Sequence, residues 1–239
     1  MRGNQPVTDL LDAPGDKRIS QLLFGEAFTV AKTDGAFSFG QMECGYEGWV
    51  PSAALAESRA ASHYVRAMAT FVYARPDMKS ELRLRLPFNA QVKVLGADGQ
   101  FARLPEGYVF AAHLANTPEP DFASTAARFL GVPYLWGGRS SLGIDCSGLA
   151  QMALHAAQKN APRDSGPQST TIGTGLPLDA PLQRGDLVFW RGHVGLMQDS
   201  KTLLHATAFS MSVMQEPLAS TVARVKAQGY GGVTAIRRL

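Results

Sequence analysis

Two cysteines in 239 residues are too few for a disulfide framework, so burial has to hold this fold together. Long apolar runs are missing as well. None approaches the roughly 18 residues that span a bilayer, which argues against a membrane partner. The opening Met-Arg-Gly-Asn-Gln-Pro-Val-Thr-Asp-Leu lacks an apolar signal core, and a complete gene product of this kind is expected in the cytoplasm. Basic charge is scarce: 23 Lys and Arg against 20 Asp and Glu leave a net +3 with no basic run, so the footprint of a nucleic-acid partner is absent. The histidines have no carboxylate or Cys neighbour at ligand spacing, so neither a metal nor a cofactor is expected. What remains, 45% hydrophobic and 18% charged, is ordinary globular composition with room for one large domain or two to three small ones.

The most informative stretch is Gly138-Arg-Ser-Ser-Leu-Gly-Ile-Asp-Cys-Ser-Gly-Leu149. A turn-rich Gly-Val-Pro-Tyr-Leu-Trp-Gly-Gly (131–138) precedes it. Leu149, Met152, Ala153 and Ala156 then recur at helical spacing, which puts Cys146 at a helix start. There the macrodipole and free N–H groups favour thiolate, the form that attacks carbonyls. Downstream, His193 and His205 each lie inside a short apolar run, where an imidazole without a partner is costly. One Cys followed by two His is the order of a cysteine hydrolase. Cys44, far from this motif, reads as a small packing residue; His63, His113 and His155 read as surface or packing groups, and Asp186 as a strand-start residue.

These segments, Pro133-Tyr-Leu-Trp-Gly-Gly, Ile-Asp-Cys-Ser-Gly, Gly-Asp-Leu-Val-Phe-Trp…Gly-His-Val-Gly and Leu-Leu-His-Ala, together resemble the NlpC-type bacterial cell-wall cysteine peptidases over roughly 121–239. The resemblance implies a papain-like α+β fold, Cys146 as nucleophile, His193 as general base and His205 as the group that orients His193. It further implies that Tyr134 lies near an oxyanion hole built on the Cys146 N–H, and that Trp136 lines the cleft. The coarse pattern agrees: a helix from Asp121 ended by Gly131, the Cys146 helix stopping before Pro162, a loop through Pro181, then strands at 186–190, 193–198, 202–207 and 232–237. Helices first and consecutive strands after them argue for helices packed on an antiparallel sheet.

The first half carries short apolar alternations broken by Gly, the pattern of short strands and tight turns. It also carries a weak repeat: Glu47-Gly-Trp-Val-Pro-Ser-Ala-Ala-Leu echoes Glu106-Gly-Tyr-Val-Phe-Ala-Ala-His-Leu. The closing motifs resemble the ends of bacterial SH3-like domains, so two small all-β barrels are expected at 18–57 and 63–115. Residues 1–17 are expected as a loose arm or lead-in strand, and 116–121 as a linker. Barrels this small are near the limit of independent stability and are expected to pack on the catalytic domain.

Tandem SH3-like domains before such a peptidase domain resemble the γ-D-glutamyl-L-diamino-acid endopeptidases. That subgroup cuts peptidoglycan stem peptides after γ-linked D-glutamate and requires a free N-terminal L-alanine, so short peptidoglycan-derived peptides, met in cell-wall recycling, are the implied partners. The resemblance assigns Asp164 and Ser165 to the substrate amine, with Asp145 and Ser147 adding charge and a hydroxyl beside it, and Tyr46 to closing the pocket. Two other readings stay open. One is a papain-like amidase or acyltransferase on a non-peptide amide, which would not need an amine pocket at 162–168. The other is a catalytically silent wall-binding module, whose thiol would be unactivated.

Overall fold

The computed structural model describes all of residues 1–239, which divide into two compact units, Met1–Pro118 and Glu119–Leu239. The first is built only of strands and short turns. Its first module is an antiparallel sheet of Val7–Leu11, Arg18–Leu23, Phe28–Asp34, Phe37–Met42 and Glu47–Pro51, with Val7–Leu11 between Arg18–Leu23 and Glu47–Pro51. Of the two readings of residues 1–17, the structure has strands there rather than a loose arm. Burial alternates along Val7–Leu11, and Leu10 is fully buried with Leu22, Phe28, Met42, Val50 and Leu55. A module starting at residue 18 would leave that core open on one side. Arg2–Gly3 also pairs with Leu55–Ala56.

The second module orders Leu82–Pro87, Ala69–Tyr73, Gly107–Phe110, Phe101–Leu104 and Gly96–Asp98 in one sheet, with Gln91–Val92, His63–Val65 and Leu114–Ala115 in another. The sequence repeat has a backbone counterpart. Pro51 (φ −55°, ψ 127°) and Phe110 (φ −61°, ψ 117°) each lead from a strand into a three-residue 3-10 turn, which ends at an extended Leu55 or Leu114. The two modules also share a core. Phe24 of the first is buried among Val65, Leu86, Val92 and Leu104 of the second, and the Gln91 N–H donates to the Phe24 carbonyl at 2.8 Å. Gly25 makes this approach possible: at φ +80° a Cβ there would lie 1.9 Å from the Gln91 carbonyl oxygen.

In the second unit, α1 (Phe122–Ala127) starts at Asp121, whose side chain accepts from the Ser124 N–H. Helix α2 (Cys146–Ala156) is buried on nearly every side, the mark of a central helix. Strands β1 (Thr174–Leu176), β2 (Leu187–Trp190), β3 (His193–Met197), β4 (Thr202–Thr207), β5 (Ser212–Pro217) and β6 (Ala235–Arg238) form an antiparallel sheet in the order β1-β6-β2-β3-β4-β5. Helix α2 packs against β3 and β4. The expected loop before Pro181 contains α3 (Ser165–Thr171) and β1. The chain between the last two expected strands holds β5 and α4 (Leu218–Ala227), whose Leu218, Val222 and Val225 cover Val188, Trp190, Met197 and Leu203. No helix is long and apolar enough to cross a membrane.

Candidate active site

Cys146 is the first residue of α2. Asp145 precedes it in extended conformation and caps the helix, accepting from the Gly148 N–H at 2.7 Å. The sulfur is nearly enclosed, and the backbone amides of Val194 and Ser147 are near enough to favour its anion. Val194 adjoins His193, so the thiol lies by the start of β3. The thiolate expected from helix position alone is not the resting state. Burial first, and the Asp145 charge second, push the thiol up to about 12, against the opposing pull of the two amides and Arg163.

The histidines form a directed chain. His193 Nε2 lies 2.8 Å from His205 Nδ1, and His205 Nε2 lies 2.9 Å from Glu216 Oε1. Glu216 accepts from both terminal nitrogens of Arg224, 2.7 Å for the Nη1 contact. Those bonds hold its carboxyl well down, at about 2, against the opposing effect of burial. The carboxylate has no proton to give, so His205 must donate through Nε2–H and keep a lone pair on Nδ1. His193 must then donate through its own Nε2–H, which leaves Nδ1 as its basic nitrogen. Burial, followed by the nearby His205 and Arg224, brings His193 down to about 3, with Glu216 pulling the other way; burial also lowers His205. Thiol and imidazole therefore rest neutral.

The residues assigned to the substrate amine divide. Asp145 is committed to structure. Arg163 donates to both of its oxygens, at 3.0 and 2.6 Å, and the Gly137 N–H donates at 2.8 Å, all out of water. Ser147 Oγ accepts from Arg163 at 2.9 Å and lies 3.3 Å from Asp145 Oδ1. The charge that was to add to an amine pocket is thus matched by Arg163, and the Ser147 hydroxyl is engaged. Asp164, by contrast, is exposed at the start of α3 and makes no capping hydrogen bond there, and Ser165 is half-buried. Their segment is stitched to the neighbours of Cys146, because Arg163 adjoins Asp164 and Gln168 Nε2 donates to the Ser147 carbonyl at 3.0 Å.

Tyr134 is half-buried, in a bridge with Ile144. Burial, then the Cys146 and Asp145 charges, hold its phenol above the usual tyrosine range, as a neutral O–H donor close to the sulfur. Trp136 is 67% exposed, a large apolar side chain left in solvent. Tyr46 packs half-buried against the first module's core beside Cys44. Asp186 is fully buried and paired with Arg238, a structural role.

Three residues of this site were not singled out from the sequence: Arg163, Glu216 and Arg224. Arg163 had one available signal, a cation directly before the Asp-Ser pair. Glu216 becomes a neighbour of His205 only through the register of β4 on β5, which sets it opposite Leu203, two residues from His205, and α4 then brings Arg224 onto Glu216.

Comparison with known proteins agrees with this geometry. The NlpC/P60 family model matches residues 131–228, and that of the bacterial dipeptidyl-peptidase Sh3 domain matches 10–55. The chain is 32% identical to a Bacillus subtilis protein named gamma-D-glutamyl-L-lysine dipeptidyl-peptidase, over 85% of this chain and 77% of the relative. A Bacillus cereus protein of the same name is 29% identical, over 85% and 71%. The crystal structure of an NlpC/P60 family protein from Bacillus cereus superposes with a TM-score of 0.83, covering 99% of this chain and 98% of that one at 23% identity, a likeness that bears on fold. The thiol at a helix start, the two imidazoles on neighbouring strands and a relative 32% identical over more than two thirds of its length converge: the chain belongs to the NlpC/P60 family and is a peptidase of the cysteine type.

Proposed function

We propose that this peptidase hydrolyses the bond between γ-linked D-glutamate and a diamino acid, diaminopimelate or L-lysine, in short peptidoglycan-derived peptides with a free N-terminal L-alanine. In this reading Cys146 Sγ loses its proton to His193 Nδ1 and attacks the γ-carbonyl carbon of D-glutamate. The oxyanion that develops takes hydrogen bonds from the Cys146 N–H and the Tyr134 hydroxyl. His193 then protonates the departing amine of the diamino acid, leaving a thioester on Cys146. A water, activated by the same Nδ1, releases the L-alanyl-γ-D-glutamate. Asp164, with Ser165, holds the alanine ammonium by a charge-assisted hydrogen bond, and Trp136 walls the cleft.

The observation that carries the substrate class is the free carboxylate of Asp164 on a segment tied by Arg163 and Gln168 to the residues flanking the thiol. The relatives' printed names support the same bond. A free alanine amine arises only after the stem peptide has left its sugar, which fits a role in wall recycling. The matching turns at Pro51 and Phe110 support reading the second module, like the first, as SH3-like.

The test is incubation with L-Ala-γ-D-Glu-diaminopimelate and its lysine analogue. Wild type is expected to release the diamino acid, Cys146→Ala to release none, and N-acetylation of the alanine to abolish turnover. No release from wild type would overturn the substrate class. Undiminished turnover of the acetylated peptide would remove Asp164 from amine recognition.

A further inference from the structure

Beyond the cysteine and its two imidazoles, the site continues along a line of groups that the triad does not explain. His205 is almost completely buried, so its outer nitrogen has no water to satisfy it. The partner it has is a carboxylate on β5, locked in turn by a guanidinium from α4, and that guanidinium lies 4.0 Å from the centre of the Phe209 ring. Four elements thus contribute one side chain each to one chain of hydrogen bonds: His193 from β3, His205 from β4, Glu216 from β5 and Arg224 from α4. Each link has one chemically permitted direction. Arg224 can only donate and the ionised Glu216 can only accept, so His205 is left to donate outward and accept inward.

We infer that Glu216, clamped by Arg224, is a positioning residue that fixes the His205 tautomer and thereby keeps a lone pair on His193 Nδ1 for the thiol. This rests on the reading of Cys146 and His193 as nucleophile and base. Were His205 to flip to its Nδ1–H tautomer, it would present a donor to His193 Nε2. His193 would then carry its own proton on Nδ1, and an N–H group would take the place of the lone pair that the thiol needs. Glu216 also places one negative charge behind the imidazolium that forms when the thiol proton moves. The balance of that step is simple: the S–H bond breaks, the Nδ1–H bond of His193 forms, His193 Nε2–H stays bonded to His205, and no proton passes on to Glu216. The charged groups facing the imidazoles are Glu216 and Arg224, which offset one another, and those facing the thiol are Asp145 and Arg163, which do the same. Removing Glu216 alone therefore leaves an unpaired cation behind the base.

The test uses the full chain carrying Cys44→Ser, so that Cys146 is its sole thiol. Its alkylation by iodoacetamide is followed from pH 5 to 9, which needs no substrate. Glu216→Gln is expected to slow alkylation at pH 7 by about tenfold, the lower end for removing a group that orients a functional histidine. In peptide hydrolysis it should lower kcat with KM little changed, and the acid limb of the pH profile should move to lower pH, since the imidazolium loses its counter-charge. In a His205→Gln background, Glu216→Gln should cost less than twofold. An equal cost with and without His205, or a wild-type pH profile in Glu216→Gln, would overturn the inference. If Glu216→Gln does not fold, nitrogen-15 NMR of wild-type histidines decides: His205 protonated on Nε2 from pH 5 to 8 supports the inference, and protonated on Nδ1 overturns it. Failure of the underlying reading has a different signature, hydrolysis surviving in Cys146→Ala.

Discussion

Replacing Arg163 with methionine isolates what holds the start of the Cys146 helix in place. The guanidinium is 2% exposed and joins both oxygens of Asp145 as well as Ser147 Oγ. Methionine keeps the unbranched stem but strands Asp145 in the interior, with the Gly137 and Gly148 amides as its remaining strong donors. Breaking a buried ion pair by removing one partner costs about 3–5 kcal/mol. For a unit of this size, that is a fall in Tm of roughly 10–20 °C. The measurement is urea unfolding followed by the fluorescence of Trp136 and Trp190, both in the second unit, in a Trp49→Phe background, compared through midpoint and slope. The reasoning has a second arm. If the cost is an uncompensated charge, then Arg163→Met combined with Asp145→Asn should cost less than the sum of the single changes, by 1 kcal/mol or more. A single-variant cost below about 1 kcal/mol, or strict additivity, would refute the claim that this pair organises the helix start. Because Arg163 adjoins Asp164, the variant should also raise KM for peptides with a free amine.

Two further outcomes follow from the burial of Cys146 and the exposure of Trp136. Cys146 is held protonated up to about 12 in the fold, while an unfolded thiol titrates near 8.5. The fold therefore binds the proton more tightly, and the stability this contributes is complete below pH 8.5 and declines above it by roughly 1.4 kcal/mol per pH unit. Cys146→Ala lacks that loss, so relative to wild type it should gain about 2–3 kcal/mol between pH 7 and pH 10.5 in urea titrations; an unchanged difference would show that the thiol is not buried as drawn. Trp136→Ala, removing a side chain already mostly in solvent, should change stability by no more than about 0.5 kcal/mol while raising KM, and a large stability loss with normal KM would make Trp136 a packing residue.

Much of this site was legible from sequence because its chemistry is written locally. The cap, the thiol and the small residue that follows occupy consecutive positions, and each histidine is marked by the apolar run around it. The register-dependent part was not. Glu216 reaches His205 only because β4 and β5 pair as they do, and no spacing in the chain encodes that. Asp145 and Ser147 look like ligands in sequence because the cation that occupies them lies eighteen and sixteen residues away. Helix α3 was hidden by Gly166 and Pro167, poor helix formers, and the strand Val7–Leu11 by the Pro, Asp and Gly around it. Thiolate character was overstated for a physical reason: the helix terminus favours the anion, but enclosure of the sulfur weighs more.

The placement of Phe24 has a consequence for how the first unit can come apart. A side chain from one repeat fills the interior of the other, at a contact so close that a methyl group on Gly25 would collide with the Gln91 backbone. The repeats are thus no longer beads that can be exchanged or shortened one at a time. Cutting the chain near residue 60 would leave one half with an unfilled hole and the other with a bare aromatic ring, so the pair should melt in a single cooperative step.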